Sequence, residues 1–304
     1  MAIKLAFSTV ACPQWSLETV AQRAEEMGFD GIELRTMGPG GSSFASEPTL
    51  SDAGKVSAIL GDHGIEPVCL STSCALHHRD TTAAHRAVWQ IREALELASK
   101  IECPFVRIFG NEVGPGETQN TVLMRIADRV ASLADRAGEL GVQILFENAG
   151  SLGRAKQWWV LLNLVQHPML GLCWNVANAA SAGESPAVSV PILNNRIRMA
   201  KVKDMNVGDG SGFVPLGEGS VGIDQFVKRL MGIGYRGYIS VEWDRAWLQE
   251  LAPAEEYLPD ARARLGAIFQ DIEDARAPKA AKARKEAEAK AALEKLAIES
   301  GEKS

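Results

Sequence analysis

Eight times along the chain, a short apolar run rich in β-branched and aromatic residues gives way to a polar or glycine-bearing turn. A longer segment with apolar residues at helical spacing then follows. The spacing predicts strands at residues 3–8, 31–35, 66–71, 105–109, 142–147, 170–174, 197–203 and 238–243. It predicts helices at 17–27, 52–61, 82–100, 120–140, 155–166, 187–193, 223–231 and 259–275, with Ser16 as a start signal and Gly28, Gly141 and Gly232 as stops. Eight such units within about 275 residues match a (β/α)8 barrel, an α/β TIM barrel. A doubly wound open sheet would need a glycine-rich phosphate fingerprint after the first strand. That position reads Thr9-Val10-Ala11-Cys12-Pro13-Gln14-Trp15, which favours the barrel.

Composition removes several classes of function. With 46% hydrophobic and 23% charged residues among 304, the chain can bury a full core. A formal net charge of −6 disfavours nucleic acid or an anionic membrane as the main partner. No apolar run approaches the ~20 residues that span a bilayer, and the N-terminus lacks a signal-peptide pattern. Five cysteines without a CxxC pair suggest neither a disulfide framework nor a zinc ribbon, so the expected location is cytoplasmic. Residues 1–274 form the predicted barrel. Residues 275–304 turn to Ala, Lys and Glu and predict an extra C-terminal helical tail, solvated or available for contact with a partner or a second copy in a homo-oligomer.

In a barrel of this kind, chemistry belongs to the C-terminal strand ends and the loops after them. His63 and His167 precede strands and fall on the structural face, whereas His77, His78 and His85 follow strand three on the reactive side. His77 is the candidate to line a pocket. Glutamates end strands two, five and eight at Glu33, Glu147 and Glu242, and a glutamate entering a core needs a partner. Glu33 is read either as paired with nearby Arg35 or as a substrate contact. For Glu147 and Glu242 the partner must come from another strand. Lys201 and Lys203 alternate with Val202 on strand seven and so share a side, which brings a lysine within reach of both acids if that side faces inward. Asn175, Asn178 and Arg107 are further candidates for substrate contact. Of the seven tryptophans, Trp15, Trp174, Trp243 and Trp247 lie near strand ends, and Trp15 and Trp243 could stack on a sugar ring. Glycine-rich runs at 208–212 and 215–219 look like a flap over the mouth.

Gly31-Ile32-Glu33-Leu34-Arg35, Phe146-Glu147-Asn148, Gly171-Leu172-Cys173-Trp174-Asn175, Val202-Lys203-Asp204 and Val214-Pro215-Leu216-Gly217-Glu218-Gly219 are familiar, as is the run from Gly234 to Trp243. Together they resemble the sugar phosphate isomerase/epimerase family of xylose-isomerase-like TIM barrels, over roughly residues 1 to 270. The resemblance implies a small carbohydrate substrate, proton transfer between carboxylates through an enediolate, and one divalent metal such as manganese. In that pattern the metal is held by a Glu ending strand five, an Asp ending strand six, a His in strand seven and a Glu ending strand eight. Glu147 and Glu242 match the two Glu positions. Asn175 stands for the Asp and Lys201 for the His, with Ala149 and Asn178 where further histidines often occur. Two Glu, one Asp, one neutral His and a divalent ion sum to −1, and so do Glu147, Glu242, Asn175 and a charged Lys201 with no ion. The expectation is therefore a barrel in which lysine has taken the cation's place, since an ammonium has no lone pair for a metal and repels one.

Three readings of function follow. The first is a carbohydrate isomerase or epimerase, or a related lyase, with Glu147 or Glu242 as base and Lys201 or a weakly held metal stabilising the enediolate oxygen. The second is a disabled barrel that binds a carbohydrate or assembles with a partner. The third, a Schiff-base lyase on Lys201, is disfavoured because flanking carboxylates raise a lysine pKa that this chemistry needs lowered.

Overall fold

The computed structural model describes residues 3–36, 52–208 and 212–275. The barrel strands are β1 (Lys4–Ser8), β2 (Gly31–Arg35), β3 (Glu66–Ala75), β4 (Phe105–Phe109), β5 (Gln143–Glu147), β6 (Leu170–Asn175), β7 (Ile197–Val202) and β10 (Tyr238–Val241). They close into one parallel barrel in the order β1, β2, β3, β4, β5, β6, β7, β10 and back to β1. Two short strands, β8 (Asp204–Met205) and β9 (Phe213–Val214), form an antiparallel ribbon outside it. The expected (β/α)8 architecture is thus present.

Helices fill the crossovers: α1 (Leu17–Met27), α2 (Ala53–Asp62), α3 (Thr81–Lys100), α4 (Gln119–Leu140), α5 (Ala155–Val165), α6 (Val176–Ser181), α7 (Pro186–Leu193) and α8 (Ile223–Gly232). Local chemistry sets their ends. Ser16, Asp52, Asp80 and Thr118 each accept a backbone N–H in the first turn of the helix they open, satisfying donors that have no partner inside the helix. Gly28 and Gly141 close α1 and α4 in the left-handed conformation that costs glycine least.

Several boundaries differ from the sequence pattern. β3 runs on to Ala75, which pairs with Phe109 after a register shift. β6 takes in Asn175, because this residue pairs with Lys201, and the unpredicted helix α6 begins directly after it. β7 ends at Val202 and β10 at Val241, so Lys203 and Glu242 lie just beyond the paired ladder. The last helix, α9, starts at residue 254 rather than 259, because the Pro253 carbonyl already accepts the N–H groups of Glu256 and Tyr257. Two compact units are distinguished, Met1–Arg262 with the barrel and another from Ala263, whose described part is helical to residue 275. The expected tail at 276–304 lies outside the described residues, as do residues 209–211 of the first glycine-rich run.

Inside the barrel, Ala6, Val68, Cys69, Leu145, Cys173 and Met199 form an apolar layer with Phe105 and Tyr238 packed against it. The polar side chains Glu33, Ser71, Arg107, Glu147, Lys201 and Ser240 also come from barrel strands and are all buried. Charged groups are rarely sealed in a core unless they are paired.

Candidate functional site

The pairing converges on Lys201. Its Nζ donates to Glu33 Oε1 at 3.0 Å, to Glu242 Oε1 at 2.8 Å and to Glu147 Oε2 at 3.3 Å, so its three protons serve three carboxylates. The side chain has no exposed surface. Arg107 Nε lies 2.9 Å from Glu147 Oε2, and its Nη1 donates to the Thr72 carbonyl. Asn175 directs its amide N–H groups to Glu147 Oε1 at 2.9 Å and Glu242 Oε2 at 2.8 Å. Ser71 and Ser240 donate one bond to each oxygen of Glu33. Every oxygen of the three glutamates therefore accepts at least one hydrogen bond or ion-pair contact.

Beyond this layer sits a rim that is less completely buried. Lys203 Nζ bridges Glu242 Oε2 at 3.2 Å and Asp244 Oδ2 at 2.7 Å. Arg35 turns away from Glu33, donating to the Thr36 and Ser71 carbonyls and to Ser73 Oγ, and lies 5.8 Å from the ring of exposed Trp247. Beside the rim, the Asp204 carboxylate accepts the backbone N–H groups of Gly217, Gly219 and Val221 and thereby fixes the second glycine-rich loop at its root.

Burial and charge oppose one another throughout. Burial pushes the Lys201 ammonium toward its neutral form, but Glu147, Glu242 and Glu33 outweigh it and hold the proton far more tightly than usual. For Glu242, burial favours the protonated acid, yet Lys201 and Lys203 hold the carboxyl well below the usual range. Glu33 behaves likewise, with Lys201 and Arg107 overcoming burial. Asp244 goes the other way: burial and the adjacent Glu242 charge raise it, against the pull of Lys203. Burial and the nearby Arg107 charge lower Arg35 to about 10.

The remaining expectations divide. Glu33 pairs with Lys201 and not with Arg35, because the Arg35 guanidinium is taken up by carbonyls of the β2 and β3 ends. Asn178 donates to the Asn148 carbonyl from α6, a bond that holds the β5 and β6 ends together. His77 stacks on His78 at 4.3 Å, and the charges facing it are Glu112, Arg125 and Glu117, away from the Lys201 cluster. Trp15 is buried with its indole N–H on Glu255. Trp243 is covered by Tyr257, stacked at 3.8 Å, and bonds the Ala252 carbonyl, so its faces are not open to a sugar.

Asp244, Ser71 and Ser240 were not singled out in the sequence. Asp244 carries a readable signal, since two residues after Glu242 in extended chain it falls on the same side, the argument already applied to Lys201 and Lys203.

A divalent ion does not fit this donor set. The position between the strand-end carboxylates is filled by the Lys201 ammonium, which has no lone pair to offer. Asn175 presents N–H groups to the carboxylates and turns its Oδ1 to the backbone of α6. Among the described residues no group of three or more His, Cys, Asp or Glu side chains is arranged to hold a metal.

A closed parallel barrel carrying a polar cluster at the C-terminal strand ends defines a TIM-barrel protein, the fold class in which active sites are built at that end. The chain belongs to the xylose isomerase-like TIM barrel family, whose model matches residues 21–268. It is 21% identical over 246 residues to the fructoselysine 3-epimerase of Escherichia coli O157:H7, covering 77% of this chain and 88% of that protein. Among solved structures, the IOLI protein with a bound zinc atom superposes with a TM-score of 0.77 at 21% identity, covering 89% of this chain and 99% of that one. An L-ribulose 3-epimerase gives 0.76 at 17%, covering 90% and 96%. A fusion of such a barrel with a 4-hydroxyphenylpyruvate dioxygenase gives 0.75 at 17%, where 92% of this chain matches 45% of the longer protein. No helix among the described residues is long and apolar enough to cross a membrane.

Proposed function

We propose that this protein epimerises or isomerises a small keto sugar by moving a proton at the carbon beside the carbonyl, through an enediolate. The observation that carries this reading is the carboxylate and ammonium cluster centred on Lys201, set at the strand ends where such barrels place their chemistry. Membership of the xylose isomerase-like family, together with a fructoselysine 3-epimerase relative, supports the substrate class.

The site works without a divalent ion in this proposal. Glu33, Glu147, Glu242 and Asp244 bring four negative charges, and Lys201, Lys203, Arg107 and Arg35 bring four positive ones. The charges of these eight groups cancel, and an added divalent ion would bring two charges that none of them compensates. Lys201 supplies the fixed positive charge from below, holding Glu147 and Glu242 in place. Because it is fully enclosed, it acts as a positioning residue. At the rim, Lys203 is the ammonium close enough to the mouth to stabilise the developing enediolate oxygen.

The test is solvent exchange. Chelator-treated protein is incubated in D2O with D-fructose, D-tagatose, D-psicose, L-ribulose and fructoselysine, and proton spectra are followed. Loss of one carbon-bound proton beside the carbonyl of at least one sugar, unaffected by chelator, is the expected result. Exchange that appears only after manganese or zinc is added would overturn the metal-free reading. No exchange from any sugar would overturn the enzyme and leave the binding barrel.

A further inference from the structure

We propose that Asp244 is the carboxylate that takes and returns the substrate proton, while Glu33, Glu147 and Glu242 serve to hold the cations. This inference rests on the reading of the barrel as a sugar epimerase or isomerase, and assigns the step to a residue that the family pattern does not mark.

Lone-pair accounting separates the four carboxylates. Glu33 takes Ser71 and Lys201 on one oxygen and Ser240 on the other. Glu147 takes Asn175 on Oε1, with Lys201 and Arg107 on Oε2. Glu242 takes Lys201 on Oε1, with Asn175 and Lys203 on Oε2. Each of these three carboxylates thus accepts three contacts, at least one of them from a buried cation, so a proton arriving there weakens an ion pair that no water can replace. Asp244 differs in geometry. Lys203 holds its Oδ2 at 2.7 Å, while Oδ1 accepts no hydrogen bond among the described residues. Its side chain keeps 13% of its surface exposed, against 8% or less for the three glutamates. It is the one acid of the cluster with both a free oxygen and a route to the mouth.

The Lys203 bridge gives the arrangement a direction. An ammonium shared between Glu242 and Asp244 fixes the orientation of the Asp244 carboxyl and leaves a positive charge next to the point where a substrate carbonyl oxygen would gain negative charge. In the step itself, the C–H bond beside the carbonyl breaks and its proton passes to Asp244 Oδ1. The C–H electron pair becomes the double bond of the enediolate, and the carbonyl π pair moves onto oxygen beside Lys203. In an isomerisation the proton of the adjacent hydroxyl passes to the oxyanion, that hydroxyl carbon becomes the new carbonyl, and the same carboxyl returns its proton to the former carbonyl carbon. In an epimerisation water protonates the opposite face, and Asp244 neutralises the hydroxide left behind.

The experiment is chemical rescue, read by the same D2O exchange with the keto sugar that the wild type accepts. Asp244→Ala should lower the exchange rate by about 100-fold or more, in the range typical of a lost general base, with a small change in KM. Added formate, which fits the space left by the side chain, should restore part of the rate, and Asp244→Glu should retain a measurable fraction. The melting temperature of Asp244→Ala is measured beside wild type, and if that variant does not fold, Asp244→Asn is read in its place and should show the same loss. Exchange that survives undiminished in a folded variant, or a loss that neither formate nor Asp244→Glu relieves, overturns the assignment to Asp244 and leaves the enzyme reading standing. Absence of exchange in the wild type itself overturns both.

Discussion

Replacing Lys201 with methionine removes one positive charge while keeping most of the side-chain volume, and it leaves Glu33, Glu147 and Glu242 facing the space the ammonium had filled. The three contacts of 2.8, 3.0 and 3.3 Å are each worth roughly 5 kcal/mol of attraction at an effective dielectric of ~20, most of it offset by burying the ammonium and crowding three carboxylates. What remains is the cost of breaking a buried pair, about 3–5 kcal/mol. For a domain of this size that corresponds to a drop of roughly 6–20 °C in melting temperature. The effect has a pH signature with a definite sign. Glu33 and Glu242 are held below their ordinary values, so their contribution is fully present above the unfolded carboxyl range of about pH 4 and is lost as pH falls through the folded values. Without Lys201 the carboxyls take up protons at higher pH, so the penalty is largest near neutrality and shrinks on acidification. Urea unfolding followed by circular dichroism at pH 8, 6 and 4.5 measures it. A penalty below about 1 kcal/mol, or one that does not change with pH, would refute the argument that this lysine is the electrostatic centre of the barrel.

Three further outcomes are expected. The double change Asn175→Asp and Lys201→His rebuilds a shell of three carboxylates and an imidazole and lowers the metal-free charge by two. Manganese at a hundred times its Kd should then stabilise the variant by about 2.7 kcal/mol in a thermal-shift assay, with no comparable shift in wild type. Arg107→Met takes one of the two cations from Glu147 and the Nη1 donor from the Thr72 carbonyl, and should destabilise by about 3–5 kcal/mol in urea unfolding. A Cβ at Gly219 would overlap the Asp204 carboxylate and come within 2.6 Å of the Met205 carbonyl, so Gly219→Ala should cost about 1–3 kcal/mol and make the 215–222 loop the first site of limited proteolysis.

The strand ends were legible because glutamate and lysine are out of place in a buried parallel strand; that anomaly marked Glu147, Glu242 and the pair Lys201 and Lys203, and the family resemblance singled out Lys201 of the two. The partner of Glu33 was not legible. Arg35 is near in sequence, but the pairing is decided by barrel closure, which brings β7 across from β2 over a separation of 168 residues. Trp243 misled for a related reason: an aromatic at a strand end is free or covered according to what the chain does later, and here Tyr257 of α9 covers it. Asp244 escaped notice because the eighth strand was drawn through Trp243, which left the aspartate to the loop, although its alternation with Glu242 was available to be read.

The Asp204 clasp engages only backbone N–H groups, at Gly217, Gly219 and Val221. An anchor that reads the main chain is indifferent to most side chains strung along it. Exposed Pro215 and Glu218 can therefore change character while the loop stays moored, whereas Gly219 is held to its identity by the carboxylate pressed against it and Gly217 by its φ of 93°. Under the function proposed above, the mouth of this barrel is thus a place where selectivity for one sugar over another can drift or be engineered in small steps, without touching the charge lattice beneath it.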